Sequence, residues 1–102
     1  MDDRTILEPS DTAGELDGTA FTHQSGRLSG AYRTGDFLGA VRLLDAVAPV
    51  AEELNHHPDV VVGYGRVVFQ LSSHDVGGVT ARDVRLARRI QGLADDQGAT
   101  AG

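Results

Sequence analysis

Residues 52–83, EELNHHPDVVVGYGRVVFQLSSHDVGGVTARD, decide the fold. The stretch opens on the last turn of a helical pattern and closes on the first turn of another, with two β-rich runs between them. Pro58 restricts the backbone of His57 to extended geometry and ends the helical pattern that precedes it. Beyond it, residues 60–64 and 66–73 are rich in β-branched and aromatic side chains, and Val67, Phe69 and Leu71 alternate with Val68, Gln70 and Ser72. Gly65 marks the turn of a hairpin. Gly77-Gly78 then breaks the second run, and Thr80-Ala81-Arg82-Asp83 has the form of a capping box ahead of Val84, Leu86, Ala87, Ile90 and Leu93.

Working outward, Phe37, Val41, Leu44, Ala48 and Ala51 fall at helical spacing, with Ala40, Val47 and Leu54 widening the stripe. Asp36 is placed to cap that helix. Pro49 inside it removes a backbone donor and predicts a kink or a loosened turn. Further upstream, residues 19–24 and 27–34 flank Ser25-Gly26 and read as a first hairpin. Residues 6–16, with Pro9, Ser10 and Asp11 near the start, read as a short, weak helix. Two hairpins, each followed by a helix, predict an α+β fold with helices covering one face of an antiparallel sheet. No repeat or linker divides the chain, so a single domain over residues 5–94 is expected. The polar segments 1–4 and 95–102 are expected to be frayed tails.

At 102 residues and 40% apolar composition, the chain supports one modest core that association with other copies would extend. Cysteine is absent, which excludes disulfides, thiolate metal sites and a cysteine nucleophile. A formal charge of -6 argues against general affinity for nucleic acid or anionic membranes, which rests on Lys and Arg neutralising phosphate. The start, Met1-Asp2-Asp3-Arg4, has no leader pattern, and no apolar run approaches the ~20 residues of a membrane span. A soluble, cytoplasmic protein is expected. All nine basic residues are Arg, a bias suited to a GC-rich bacterial genome.

Three of the four histidines, His56, His57 and His74, lie between Glu52 and Asp83. Pro58 lets the two adjacent imidazoles point differently, with His56 at the helical end, and His74 follows the second hairpin, so the three are expected to line one pocket. Imidazoles titrate near neutrality and suit paired general acid and base work. Glu52 stands four residues before His56 and is expected to share its helical face, whereas Glu53 is displaced. Each residue also has a plainer role. Asp83 at the third helical position stabilises a capping box, Tyr64 fits a core or turn aromatic, and His23 fits a surface strand. A zinc site of three histidines and a carboxylate is disfavoured, because adjacent ligands on one short segment rarely converge on an ion and no i, i+4 histidine pair is present. Ser72-Ser73-His74 lacks the elbow motif of a serine hydrolase.

The order of these residues, a carboxylate, His56-His57-Pro58, the aromatic Tyr64, His74 and then Asp83, resembles the signature of the pterin-4a-carbinolamine dehydratases. The resemblance extends from about residue 28 to residue 93. It implies a four-stranded antiparallel sheet with two long helices on one face and an added amino-terminal helix. It also implies the loss of water from 4a-hydroxytetrahydropterin to give quinonoid dihydropterin, with no metal, redox cofactor or covalent intermediate. In that picture His56 and His74 do acid/base work, His57 mainly binds and orients the substrate, and Glu52, Val60, Ser73 and Asp83 complete the substrate-binding surface, with Asp83 orienting a histidine or holding the pocket wall. Homodimers through sheet edges, or homotetramers, are implied as well, with the apolar run 66–73 as the expected exposed edge. Relatives often carry Trp shortly after the His-His-Pro element, where this chain has Val60, and the Trp usual before the first hairpin strand is replaced in the 17–21 region. These departures leave room for a different heterocycle. Noncatalytic relatives that act as transcriptional dimerisation cofactors or Rubisco assembly factors define the other reading.

Overall fold

A computed structural model describes residues 3–102. The elements run α1 (Pro9–Leu16), β1 (Phe21–Gln24), β2 (Arg27–Arg33), α2 (Phe37–Leu54), β3 (Asp59–Gly63), β4 (Arg66–Leu71), α3 (Ala81–Asp96) and β5 (Thr100–Ala101). The strands form one antiparallel sheet in the order β1-β2-β4-β3, with β5 added to β2. Three helices and an open sheet make the α+β architecture that the hairpin and helix patterns predict.

Local chemistry accounts for each element. Ser25 and Gly26 both take positive φ, 54° and 74°, the two-residue turn whose twist suits a hairpin. Asp36 Oδ1 accepts the Gly39 amide at 2.6 Å and starts α2. The expected disturbance at Pro49 does not interrupt α2, which runs unbroken to Leu54. Pro49 and Asp45, whose carbonyl loses its helical partner to the proline, are both exposed. Water can therefore take the place of the missing donor.

The core lies between the sheet and the inward faces of α2 and α3. Leu28, Tyr32, Val67, Phe69 and Leu71 from the strands meet Leu43, Val47, Leu86 and Ile90 from the helices, all fully buried. Burial alternates along β2 and β4, as a sheet covered on one face requires. Tyr32 stands between Phe21 and Phe69, edge-on to each at 6.1 Å between ring centres. Gly30 makes room for the Phe21 ring, which a side chain at that position would meet at 2.9 Å.

Two expectations about the sheet are corrected. Strand β4 is not an edge: it lies between β2 and β3, so β3 forms one edge of the sheet and β1, with β5 beside it on β2, the other. The hairpin places β3 outside β4 because β2, from the first hairpin, pairs with β4's other side over Leu28↔Leu71 to Arg33↔Arg66. The carboxyl-terminal tail is also ordered rather than frayed. Asp95 and Asp96 belong to α3, and Thr100 and Ala101 pair with Arg33 and Tyr32. Strand β1 covers β2 only from Arg27 to Gly30, so the tail takes the remaining hydrogen-bonding positions on that edge. At the other end, the expectation for residues 1–4 falls partly on Met1 and Asp2, which lie outside the described residues. Asp3 sits 3.6 Å from the Arg85 guanidinium. Among the described residues no helix is long and apolar enough to cross a membrane.

Candidate active site

The site is organised by the way α2 ends. Asn55 adopts left-handed geometry, φ 49° and ψ 44°, and its amide reaches the Glu52 carbonyl at 3.1 Å while the His56 amide reaches the Ala51 carbonyl at 3.0 Å. This pair of bonds is a Schellman motif, which satisfies the last carbonyls of the helix and turns the chain sharply. His56 is therefore outside the helix, and the expected shared face with Glu52 is lost. The left-handed residue breaks the 3.6-residue periodicity on which that expectation depended.

The turn sends the two imidazoles to different carboxylates. Glu52 Oε2 pairs with His57 Nε2, on the surface, with side chains 75% and 55% exposed. His56 Nε2 instead pairs with Asp83 Oδ1 across from α3; the His56 side chain is 11% exposed and Asp83 is fully buried. Asp83 is fixed from its other side. Its Oδ2 accepts the Ser73 hydroxyl at 2.8 Å and the Thr80 amide at 2.9 Å, and the Ser73 and Thr80 hydroxyls lie 2.8 Å apart. The Thr80 amide bond belongs to the capping box read from residues 80–83. Asp83 thus caps α3 with one oxygen and holds His56 with the other.

Ser73 and Asp83 were expected on the substrate surface, with Asp83 also implied to orient a histidine or hold the pocket wall; the structure sets both beside His56. They lie behind His56, buried, with their hydrogen-bonding groups committed to protein partners. Thr80 is the residue whose role beyond the helix cap was not anticipated; its nearness to Ser73 depends on the 73–80 loop closing through the Ser73 amide on the Gly78 carbonyl at 2.8 Å. The amino-terminal segment clamps that loop, with the Leu7 amide on the Val79 carbonyl at 2.7 Å and Ile6 packed over Gly78.

The three histidines do not line one cavity of the single chain. His57 borders an apolar groove of about 310 Å³ with Glu52, Pro58, Val60, Leu44 and Ala48. His74, exposed on the turn after β4, borders a polar cavity of about 280 Å³ with Ser72, Asp59, Gln70 and Arg27. Asp59 faces the His74 cavity, while its neighbours Pro58 and Val60 face the His57 groove. Next to His74 in the chain, Asp75 accepts from Arg82 at 2.8 Å, and this bond holds the Asp75 carboxyl below its ordinary range. Val60 does stand in the His57 groove, as a partly buried wall residue. Tyr64 is an exposed turn residue. His23 is more than a surface strand residue: its Nδ1 lies 2.8 Å from the Thr12 hydroxyl and ties α1 to β1. Among the described residues, no group of three or more His, Asp or Glu side chains is gathered as a metal site would require.

This arrangement has relatives. Residues 8–93 match the family model for pterin 4 alpha carbinolamine dehydratase. A protein of Sulfurisphaera tokodaii, provisionally named a pterin-4-alpha-carbinolamine dehydratase, is 50% identical over 58 residues, 57% of this chain and 62% of that protein. A transcriptional coactivator/pterin dehydratase from Brucella melitensis superposes with a TM-score of 0.81 at 27% identity, covering 88% of this chain and 99% of that one. A pterin dehydratase-like protein identified as a RuBisCO assembly factor of the alpha-carboxysome shares the fold, with a TM-score of 0.64 at 24% identity over 76% of this chain and 92% of that one. The chain belongs to the pterin 4 alpha carbinolamine dehydratase family.

Proposed function

We propose that the protein dehydrates 4a-hydroxytetrahydropterin to quinonoid dihydropterin by histidine acid/base catalysis. The observation that carries this reading is the pair of adjacent imidazoles, each tied through Nε2 to its own carboxylate, His56 to Asp83 and His57 to Glu52. The reaction requires imidazoles held in fixed orientation, and of this pair His57 borders the open groove. The C4a hydroxyl departs as water after taking a proton from an acid. The N5 lone pair forms the C4a=N5 double bond, and N5 gives its proton to a base, so no electrons are exchanged with any other molecule.

In this reading His56 and His74 move the protons, and His57 with Glu52 orients the ring against Val60. The small Val60 side chain leaves the groove wider than a Trp would, which favours substrates with a bulky ring edge or a different heterocycle. The sheet offers β3 as the edge for a second copy: Val61 is 68% exposed on it and Tyr64, at its turn, 80%. The alternative of a noncatalytic assembly factor has less support, because an assembly surface has no need for two imidazoles held at a fixed nitrogen.

The test is a coupled assay in which 4a-hydroxytetrahydropterin is generated in situ and the quinonoid product is followed. Acceleration above the spontaneous rate is expected, together with its loss in His74→Ala. A folded protein that leaves the spontaneous rate unchanged removes the dehydratase reading, and light scattering of the same sample reports whether it is monomer, dimer or tetramer.

A further inference from the structure

The hydrogen bonds behind His56 have only one consistent direction. Arg82 donates its amide and its Nε to the Thr80 hydroxyl oxygen, at 3.2 and 3.3 Å. Ser73 donates its single hydroxyl proton to Asp83 Oδ2, so at the 2.8 Å contact between hydroxyls Thr80 must be the donor and Ser73 the acceptor. A carboxylate has no proton of its own to give, so at Asp83 Oδ1 the donor is His56 Nε2. Ser73, Thr80 and Asp83 are buried, and no buried side-chain polar atom among the described residues lacks a partner. Reversing any one bond would leave two donors or two acceptors facing each other in the interior.

We infer that Ser73 and Thr80 are positioning residues: their hydroxyls orient the Asp83 carboxylate so that neutral His56 keeps its proton on Nε2 and exchanges protons with a ligand at Nδ1. The tautomer follows from the hydrogen bonds alone, and its catalytic consequence rests on the dehydratase reading above. The inference also explains why a hydroxyl stands at residue 73, where no substrate can reach it. An oriented second partner fixes which imidazole nitrogen carries the proton, and an imidazole in the wrong tautomer presents a donor where the reaction needs an acceptor.

The experiment combines nitrogen NMR of 15N-histidine-labelled protein with steady-state kinetics. The wild-type His56 should show the Nε2–H tautomer. Ser73→Ala and Thr80→Val should give a mixed tautomer and lower kcat about tenfold while KM stays within about twofold. Thr80→Ser, which keeps the hydroxyl, should restore both readouts. Ala94→Gly, which weakens α3 away from this network, should lower the melting temperature without changing the tautomer, separating positioning from general stability. An Nδ1–H tautomer in the wild type overturns the inference, and so does a Ser73→Ala variant with unchanged tautomer and kcat. If the tautomer responds as stated but no form of the protein dehydrates the pterin, the positioning stands and the dehydratase reading falls.

Discussion

His56 and His57 are neighbours in the chain and opposites in setting. His57 meets Glu52 in solvent, where an ion pair is screened and contributes little. His56 meets a buried carboxylate, and removing it strands an oxygen in the interior. His57→Ala should therefore cost less than about 1 kcal/mol of stability, whereas His56→Ala should cost about 1–3 kcal/mol. Urea denaturation of the two variants checks this, and equal losses would mean that Asp83 finds another donor. Both substitutions should depress dehydration, so stability separates them where activity does not. The residue types were legible in the sequence, because three imidazoles between two acids already imply acid/base chemistry. Their pairing was not: the nearest carboxylate by helical spacing, Glu52, belongs to His57, and Asp83 was implied to orient a histidine without the sequence saying which.

That exchange of partners originates at the level of the element, in the final turn of α2. Asn55 is tolerated in the left-handed region because its short polar side chain interacts locally, and glycine would sit there with less strain. Asn55→Gly should leave stability and activity near the parent values. Asn55→Ala should lose roughly 1 kcal/mol and reduce turnover, because the same backbone turn aims His56 at Asp83. Thermal melts and the coupled assay together decide it; an Asn55→Ala protein with full activity would show that the aim of His56 does not depend on the cap. Strands show the same limit of local reading. The alternation in residues 66–73 marks β4 correctly, but alternation is shared by edge and interior strands. Its place between β2 and β3 is a long-range pairing that no pattern within the run encodes.

For the molecule as a whole, the centre of the core is Tyr32, fully buried, with its hydroxyl on Gln91 Oε1 at 2.7 Å, and burial pushes its phenol above the ordinary value of 10.0. Above that pH the unfolded chain gives up this proton while the folded one keeps it, so stability is full below about pH 10 and falls as pH rises further. Tyr32→Phe should flatten the decline in melting temperature above about pH 10, at a cost near neutrality of about 1 kcal/mol for the lost hydrogen bond. An unchanged alkaline decline would place the proton loss elsewhere.

Helices, hairpins, the capping box at Thr80 and the identity of the chemical groups were all determined by the chain itself, because periodicity, turns and caps act over a few residues. The pairing of His56 with Asp83 joins positions 27 residues apart and required α3 to pack against the end of α2. The burial of Ser73, the separation of His74 from His57 within one chain and the capture of the tail by β2 likewise depend on contacts between distant segments. Packing alone decided them, since a hydrogen bond in the interior goes to whichever partner the fold brings within reach and shields from water.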